Sequence, residues 1–400
     1  MAISNWRRLS WGDISTLEYG KRLIGYKGKT EGYPVFGTNG QVGYTDKPLV
    51  NSSGVIIGRK GAYRGVKYTE KPFYVIDTAF YLKPKDYTQL DLKWSYYSLL
   101  TTDINRIDSG SAIPSTSRDD FYNLEVNLPP LDEQKRIANF LSNLDRKIDL
   151  NNKMNKKLEE MAQAIFKQWF VDFEFPNEGG KPYKSSGGKM VESELGMIPD
   201  GWKVGCIGDY VKVKSGYAFK SEWWEESGIP VIKIKDIENN TLNINDMSYV
   251  SPEKKVVAKD FLVQGGDLVI AMTGATIGKF GIVPRLADTM LVNQRVGKFF
   301  LGDKPVNKLG FIYCLLKQQS IYDELVNRGS GSAQPNISPT GIETIKIILP
   351  SFQVLEEFNN AVKVFFEKIT EDKYQNDKLR NIRDILLPKL MEGEILVPVK

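Results

Sequence analysis

The stretch WRRLSWGDI (residues 6–14) recurs 196 residues later as WKVGCIGDY (residues 202–210). Further along the chain the offset grows to 221, where GSAIPSTS (residues 110–117) matches GSAQPNIS (residues 331–338). Self-similarity at so long a period indicates two copies of one domain rather than a solenoid. Such a pseudo-symmetric chain can present two similar surfaces to one partner that has a symmetry of its own.

Composition places the chain among globular proteins of two domains. Its 400 residues are 41% hydrophobic and 26% charged, enough for each copy to bury its own core. No apolar run reaches the roughly 20 residues of a membrane span, and the first residues show no signal peptide. Cys206 and Cys314 do not form a pair with metal-ligand spacing. We therefore expect a reduced, cytoplasmic protein.

Short strands dominate each copy. Runs rich in β-branched and aromatic residues predict strands at residues 33–37, 54–58, 73–77, 78–83, 124–129, 229–235, 266–272, 296–301 and 345–350. The Asn-Gly pair of residues 39–40 predicts a tight hairpin turn. Residues 92–107 and 309–327 have helical spacing instead. Each copy is therefore predicted to be α+β, with more strand than helix.

After each globular copy, seam residues alternate in steps of four and three, as in a coiled coil. The first seam is Ile137, Leu141, Leu144, Ile148, Asn151, Asn155, Leu158, Ala162, Ile165 and Trp169. The second, 221 residues on, is Phe358, Val362, Phe365, Ile369, Asp372, Asn376, Leu379, Arg383, Leu386 and Leu390.

Both seams become polar at the same two central positions, Asn151 and Asn155 in the first and Asp372 and Asn376 in the second. A polar seam residue costs stability but fixes register and orientation. Antiparallel and in-register parallel pairing both align these positions. A helix of about 40 residues is about 60 Å long, so a short linker does not easily return the chain for parallel pairing. We therefore predict an antiparallel pair in which these four residues lie close together.

These patterns divide the chain into five segments. They are a globular domain at 1–130, a helix at 131–175, a Gly/Pro/Ser-rich linker at 176–201, a second globular domain at 202–350 and a second helix at 351–393.

The chemistry of a free-standing enzyme is missing from the sequence. There is no histidine, the commonest general base and metal ligand. MTGATIGKF (residues 272–280) fails as a P-loop because three residues, not four, separate Gly274 from Gly278 and Phe280 follows the lysine. Neither a dinucleotide-binding glycine motif nor the Asn-Pro-Pro-aromatic motif of base methyltransferases occurs. We therefore expect no catalytic residue, no metal site and no cofactor bound by this chain.

Basic and aromatic residues concentrate near the start. Between Lys21 and Arg64 there are eight basic residues against two acidic ones, interleaved with four tyrosines, and Tyr19 lies just before them. Cations, aromatics and glycines together are typical of a surface that follows phosphates. A solvated basic face on a β-rich domain explains the same residues equally well.

Four motifs carry a family resemblance that covers essentially the whole chain. They are LPPLDEQKRIANFLSNLDRKID (128–149), KKLEEMAQAIFKQWFVDF (156–173), ELGMIPDGWKVGCIGD (194–209) and GSGSAQPNIS (329–338). With the repeat and the two helices, the chain resembles the DNA-specificity subunit of a type I restriction–modification system. The opening of the second helix, FQVLEEFNNAVKVFFEKI (352–369), departs from the more usual PLEEQ-type opening, and Arg383 lies on its seam.

The resemblance implies two target-recognition domains, each of which reads one half of a split site in double-stranded DNA. It also implies that the conserved helices set the distance between them and dock two methyltransferase subunits. Those partners bring S-adenosylmethionine, and restriction/translocase subunits bring ATP hydrolysis and Mg²⁺. No membrane partner is expected. The bases that are read are not specified.

We expect DNA contacts from cations, amides and hydroxyls in the glycine- and asparagine-rich loops. In the first domain these are Lys21, Arg22, Lys27, Thr38, Asn39, Arg59, Lys60, Tyr63, Arg64, Ser111 and Arg118. In the second they are Lys214, Tyr217, Lys233, Lys235, Thr273, Lys279, Arg328, Ser330, Gln334 and Asn336. For any one of them an ordinary surface role is as good an explanation. Gly110 and Gly331, in the matched loops, are expected to allow a backbone turn rather than to contact DNA.

Two other functions remain alternatives at this point. The chain could be a stand-alone DNA-modifying enzyme, against which the missing histidine and cofactor motifs weigh, or a coiled-coil adaptor that binds no nucleic acid.

Overall fold

The computed structural model describes residues 5–107, 114–238, 241–244, 246–285, 289–329 and 335–398. The chain forms two compact units. Unit 1 is Met1–Lys147 with Leu379–Lys400, and unit 2 is Ile148–Lys378. Each unit therefore combines one copy of the repeat with parts of both long helices.

Unit 1 carries three sheets. Its strands are β1 (Arg7–Ser10), β2 (Ser15–Tyr19), β3 (Tyr33–Gly37), β4 (Gly40–Thr45), β5 (Gly54–Gly58), β6 (Val66–Thr69), β7 (Tyr74–Val75), β8 (Ala79–Pro84) and β9 (Glu125–Leu128). Its helices are α1 (Trp11–Ile14), α2 (Leu92–Leu100), α3 (Arg118–Asn123) and the first part of α4 (Leu131–Phe166). The sheet orders are β1-β9, β2-β8-β5-β6 and β4-β3-β7, with β3 and β7 parallel.

Unit 2 is built on the same plan. Its strands are β10 (Met190–Ser193), β11 (Gly196–Pro199), β12 (Lys203–Cys206), β13 (Val213–Ser215), β14 (Trp224–Glu225), β15 (Ile229–Ile232), β16 (Ile237–Glu238), β17 (Thr241–Leu242), β18 (Ser248–Val250), β19 (Leu262–Val263), β20 (Leu268–Ala271), β21 (Phe280–Ile282), β22 (Met290–Val292), β23 (Val296–Phe299) and β24 (Lys346–Leu349). Its helices are α5 (Ile207–Tyr210), α6 (Lys254–Val257), α7 (Val306–Leu316), α8 (Gln319–Gly329), α9 (Pro339–Glu343) and most of α10 (Phe352–Glu392).

The sheet orders repeat between the units. β12-β24 corresponds to β1-β9, and β13-β23-β20-β21 corresponds to β2-β8-β5-β6. The parallel pair β15-β22 likewise corresponds to β3-β7. The internal repeat predicted from the sequence is therefore confirmed as a repeat of topology.

Aromatic side chains fill both cores. In unit 1, Trp11 packs against Trp94 and Phe121, with ring centroids 6.3 and 5.9 Å away. In unit 2, Phe170 packs against Phe311 and Phe358, at 5.1 and 4.8 Å. These side chains are at most 8% exposed, so each unit has a hydrophobic core of its own.

The two long helices run antiparallel, as predicted. In unit 2, Asn151 of α4 hydrogen-bonds Asn376 of α10, and Phe166 packs on Phe358 at 5.9 Å. The partner's residue number falls as the α4 number rises, which only antiparallel packing produces. In unit 1, Asp145 of α4 pairs with Arg383 of α10 at 2.7 Å. Compared with the Asn151–Asn376 pair, the α4 number is lower and the α10 number is higher, as antiparallel helices require.

Three details differ from the sequence prediction. The helix expected at 92–107 ends at Leu100, and only Ile104–Arg106 forms a further 3-10 turn. The helix expected at 309–327 begins earlier and is two helices, α7 and α8. The segment expected to be a linker contains the β10-β11 hairpin, with Ile198 buried. In the two helical segments the periodicity of the sequence continues across the point where the helix ends, so it does not reveal the break.

Candidate nucleic-acid interface

Four backbone segments of unit 1 meet beyond the ends of β2, β5 and β7. We call residues 20–22, 59–61, 75–78 and 114–116 the first clasp. Its backbone hydrogen bonds are Lys21 N to Val75 O (2.9 Å), Arg59 N to Thr78 O (2.9 Å), Thr116 N to Arg59 O (2.8 Å) and Gly61 N to Pro114 O (2.9 Å). The hydroxyl of Thr38, a residue predicted to contact DNA, donates to the carbonyls of Lys60 and Thr78, with Oγ1 2.7 and 3.1 Å from the two oxygens. It therefore helps to close the clasp.

Gly20 allows the clasp to close. A Cβ atom at this position would lie 2.0 Å from the carbonyl oxygen of Ile76, a distance no side chain tolerates. Gly216 in unit 2 is in the same situation, 2.2 Å from the carbonyl oxygen of Val292. A glycine is thus required at both positions because two backbones approach each other closely.

The first clasp presents cations to solvent. Lys21, Arg22 and Lys60 are exposed, and among the described residues their side chains have no hydrogen bond or ion pair. Lys27 and Asn39 are exposed in the neighbouring loops, and the Tyr63 side chain is 81% exposed. Unpaired cations on adjoining loops can neutralise phosphates without first breaking internal ion pairs.

Two arginines of unit 1 lie against one aromatic ring. The Cζ atoms of Arg59 and Arg118 are each 4.8 Å from the centroid of the Tyr19 ring. Arg59 Nη1 also donates to the carbonyl of Asp77 at 2.9 Å, and Arg118 Nη1 donates to that of Leu17 at 3.4 Å. Both guanidinium groups are thus oriented by the protein while part of each stays accessible.

Arg64, predicted to contact DNA, is buried in this structure. Arg64 is only 4% exposed, and its Nη2 donates to the carbonyl of Asn105 at 2.8 Å. Its backbone amide donates to Asn105 Oδ1 at 2.8 Å as well. A basic residue in a glycine-rich loop pattern can point inwards when a polar partner satisfies it, and the sequence does not show that partner.

Unit 2 contains the same arrangement of backbone. We call residues 216–217, 272–274, 292–295 and 335–337 the second clasp. Its hydrogen bonds are Tyr217 N to Val292 O (2.8 Å), Met272 N to Arg295 O (3.0 Å), Ile337 N to Met272 O (2.9 Å) and Gly274 N to Pro335 O (2.9 Å). Thr273 and Asn336 form the bridge that Lys60 and Ser115 form in unit 1.

Several predicted contact residues of unit 2 surround the second clasp. Tyr217 stacks on Trp223 at 6.0 Å with nearly parallel rings. Lys214 is exposed, with its Nζ 4.8 Å from the centroid of the Phe261 ring. Asn336 is exposed, and Lys279 is partly exposed beside the clasp loop. The unit thus offers amide, aromatic and cationic groups on adjoining loops.

Three other predicted cations of unit 2 already have internal partners. Lys233 Nζ lies 3.4 Å from the centroid of the Trp224 ring, and burial lowers the pKa of Lys233. Lys235 pairs with Asp246 at 3.3 Å. Arg328 bonds Glu324 at 2.8 Å and donates to the Thr344 hydroxyl at 2.6 Å. The bonds of Arg328 join α8 to the end of α9, so this residue also holds the fold there, and its contact with DNA stays a prediction.

Some candidate residues were missed and others cannot be placed. Asp77, Thr78, Asn293, Gln294 and Arg295 belong to the clasps but were not predicted. The only signal was the equivalence of segments 75–79 and 292–296 at an offset of 217, where few residues are identical. Ser111, Ser330 and Gln334, with Gly110 and Gly331, lie outside the described residues.

The polar positions of the helix seams are buried in unit 2. Asn151 Nδ2 donates to Asn376 Oδ1 at 2.8 Å and to Gln375 Oε1 at 2.9 Å. Asn376 Nδ2 in turn donates to Asn152 Oδ1 at 2.9 Å. Asn155 and Asp372 are 6% and 1% exposed. These bonds link specific residues of α4 and α10, so they select one register.

A second polar cluster lies between the helices in unit 1. Asp145 accepts from Arg383 Nη1 at 2.7 Å and from the Tyr97 hydroxyl at 2.5 Å. Burial and the Asp145 carboxylate raise the pKa of Tyr97 well above its usual value. Arg383, an unusual seam residue by sequence, is thus satisfied by a carboxylate on the facing helix.

Two negative observations apply to the described residues. None of their helices combines the length and apolar character needed to cross a membrane. No three of their Cys, Asp or Glu side chains come together in a group that could hold a metal ion.

Family comparison identifies the class of protein. The chain matches the type I restriction modification DNA specificity domain over residues 3–189 and 199–377, once in each half. The chain therefore belongs to the type I restriction–modification specificity family.

Two relatives from Methanocaldococcus jannaschii illustrate the similarity. The MjaIX specificity subunit is 31% identical over 73% of this chain and 65% of its own length. The MjaVIII specificity subunit is 25% identical over 87% and 80%. This chain thus spans just under two thirds of the first relative. The crystal structure of the S subunit of a Mycoplasma genitalium type I system is 20% identical with a TM-score of 0.65, covering 98% of both chains, and shows that the fold is shared.

Proposed function

We propose that this chain reads a bipartite site in double-stranded DNA, with one half-site for each unit. The observation that carries the proposal is the pair of clasps, which repeat one backbone arrangement in both units. Each clasp brings cations, amides or hydroxyls from separate loops to one place. Such groups hold phosphates and read base edges in the major groove.

We further propose that methyltransferase subunits dock on the long helices. On the part of α4 in unit 2, Leu150, Met154 and Met161 are exposed although the seam residues face α10. Their spacing of four and seven places them along one stripe of the helix. An exposed apolar stripe rimmed by charged residues is typical of a protein-binding surface.

Catalysis is proposed to reside in those partners. They would supply S-adenosylmethionine, and the restriction/translocase subunits would supply ATP and Mg²⁺. The absence of histidine from the sequence supports this division of labour. Two methyltransferase subunits are consistent with a chain that contains two copies of one architecture.

Methylome sequencing of the host with the gene present and deleted tests DNA reading. We expect one bipartite methylated motif to disappear on deletion. Retention of every motif would contradict the proposal. Incubation of the pure chain with DNA and labelled S-adenosylmethionine tests the stand-alone enzyme, for which label transfer would be required.

Co-purification with the methyltransferase subunit tests docking. Leu150→Asp together with Met154→Asp should abolish the complex, because two charges would be buried in the contact. Lys156→Asp is the matched control, since this exposed residue lies off the stripe on the same helix. Equal binding by the double variant and the control would show that the stripe is not the dock.

A further inference from the structure

The two clasps share a backbone but differ in side-chain chemistry. The shared hydrogen bonds make residues at five positions equivalent. The equivalent pairs are Lys21 and Tyr217, Arg59 and Met272, Lys60 and Thr273, Asp77 and Gln294, and Ser115 and Asn336. At these five positions the first clasp carries three cations and the second carries none, while the second clasp has a cation, Arg295, where the first has Thr78.

Arg59 is the cation that the first clasp orients most closely. Its guanidinium lies 4.8 Å from the Tyr19 ring centroid and 5.7 Å from that of Phe80, and one N–H is fixed on the Asp77 carbonyl. Arg118 packs on the same Tyr19 ring. Because Arg59 is only partly buried, its remaining N–H groups are accessible to a ligand. A guanidinium held in one plane is suited to the two acceptors of guanine, O6 and N7.

The second clasp has neither arginine. Met272 replaces Arg59 and is 3% exposed, and Pro339 begins α9 where Arg118 begins α3. Gln294 and Asn336 are exposed instead, and within the described residues their side chains have no hydrogen-bond partner. Side-chain amides match the donor and acceptor of adenine, N6 and N7.

We propose that the two units read different bases through the same backbone device: a guanine through Arg59 in unit 1, and an adenine through Gln294 or Asn336 in unit 2. This inference rests on the DNA-reading function proposed above. Arg118 is a positioning residue, since it packs on the ring that orients Arg59.

The experiment uses the full chain in complex with its methyltransferase partners and selects bound duplexes from a randomised library. Arg59→Ala should lower affinity for the selected site about 5- to 150-fold and relax one guanine position in one half-site only. Arg59→Lys keeps the charge and the aromatic contact but not the fork, so it should relax the same position. Gln294→Ala combined with Asn336→Ala should relax an adenine in the other half-site.

The control is Lys83→Ala, which removes an exposed charge of β8 outside the clasp and should change nothing. Thermal unfolding of each variant distinguishes a loss of base recognition from a loss of stability. If Arg59→Ala is unstable, Arg59→Lys takes its place in the binding experiment. A uniform loss of affinity across all sequences would make Arg59 a phosphate contact and overturn the inference, while DNA reading by the chain would stand. A wild-type complex that selects no sequence would remove the proposed function itself.

Discussion

At the scale of single residues, environment separates side chains that look alike in the sequence. Lys60 and Arg64 lie four positions apart in the same basic stretch, yet one is exposed and the other is buried on Asn105. Residue type and spacing predicted the basic surface, but not which cation points inwards. That depends on Asn105, which is 41 residues away from Arg64 along the chain.

Lys60→Ala should weaken DNA binding by the methyltransferase complex to a similar degree for all sequences. Lys60 is an exposed cation in the first clasp, so we expect it to neutralise one phosphate and to release about one counterion. The slope of log affinity against log salt should therefore become shallower by about one unit. Titrations at several salt concentrations measure this, with Lys83→Ala as control. A loss confined to one base position would show that Lys60 reads a base.

Arg64→Ala should act on stability. Removing the guanidinium takes away a hydrogen bond that a buried charged group makes to the Asn105 carbonyl, at a cost of about 1.5–3 kcal/mol. Urea unfolding would report a lower midpoint, while the properly folded fraction keeps its salt slope for DNA. An unchanged midpoint with weakened DNA binding would restore Arg64 to the interface.

At the scale of elements, hydrophobic periodicity predicted the helices correctly where a single heptad pattern continued without a break. The seam residues of both long helices were read directly, and most of them are buried. Phe366 was missed, although it is fully buried, because the heptad frame assigned the neighbouring Phe365 to the seam. The clasps were not predictable as units, because backbone hydrogen bonds assemble them from segments that span residues 20–116 in unit 1 and 216–337 in unit 2. Such bonds leave little trace in side-chain pattern.

Asn151→Ala should lower the free energy of unfolding by about 1–3 kcal/mol, because Asn376 Oδ1 is buried and loses its donor. Replacing both asparagines by leucine should recover most of that loss, since no unpaired polar group then remains at this pair. Urea unfolding measures both variants. The control is Asn381→Ala on the exposed face of α10. A cost for Asn151→Ala no larger than for the control would mean that the bond between the helices adds nothing.

At the scale of the whole molecule, the two copies diverged by insertion as well as substitution. The offset between equivalent segments is 196 at the clasp glycines, Gly20 and Gly216, and 221 at Pro114 and Pro335. The added residues of unit 2 include the β16-β17 hairpin, between segments that keep their pairing. The repeated backbone therefore tolerates change in the loops that carry chemistry, which is consistent with two units that read different half-sites.

We predict that the length of the long helices sets the unread spacer of the DNA site. Because Asn151 pairs with Asn376 while Phe166 packs on Phe358, an insertion in α4 alone would shift one of these contacts against the other. The test variant therefore carries four residues inserted after Lys157 in α4 and four more after Ile369, which lies opposite in α10. Lengthening both helices by the same amount preserves both contacts. A four-residue insertion unwinds a coiled coil only locally.

The paired insertion adds about 6 Å of helix, which corresponds to about two base pairs. Methylome sequencing should then show both half-sites unchanged and a spacer longer by one or two base pairs, because the clasps are untouched. The insertion in α4 alone is the control for register. It should lower the yield of the complex with the methyltransferase subunits rather than produce a new spacer. An unchanged spacer in cells that carry the paired insertion would show that the helices do not measure the site. Altered half-sites would show that base reading is not confined to the two units.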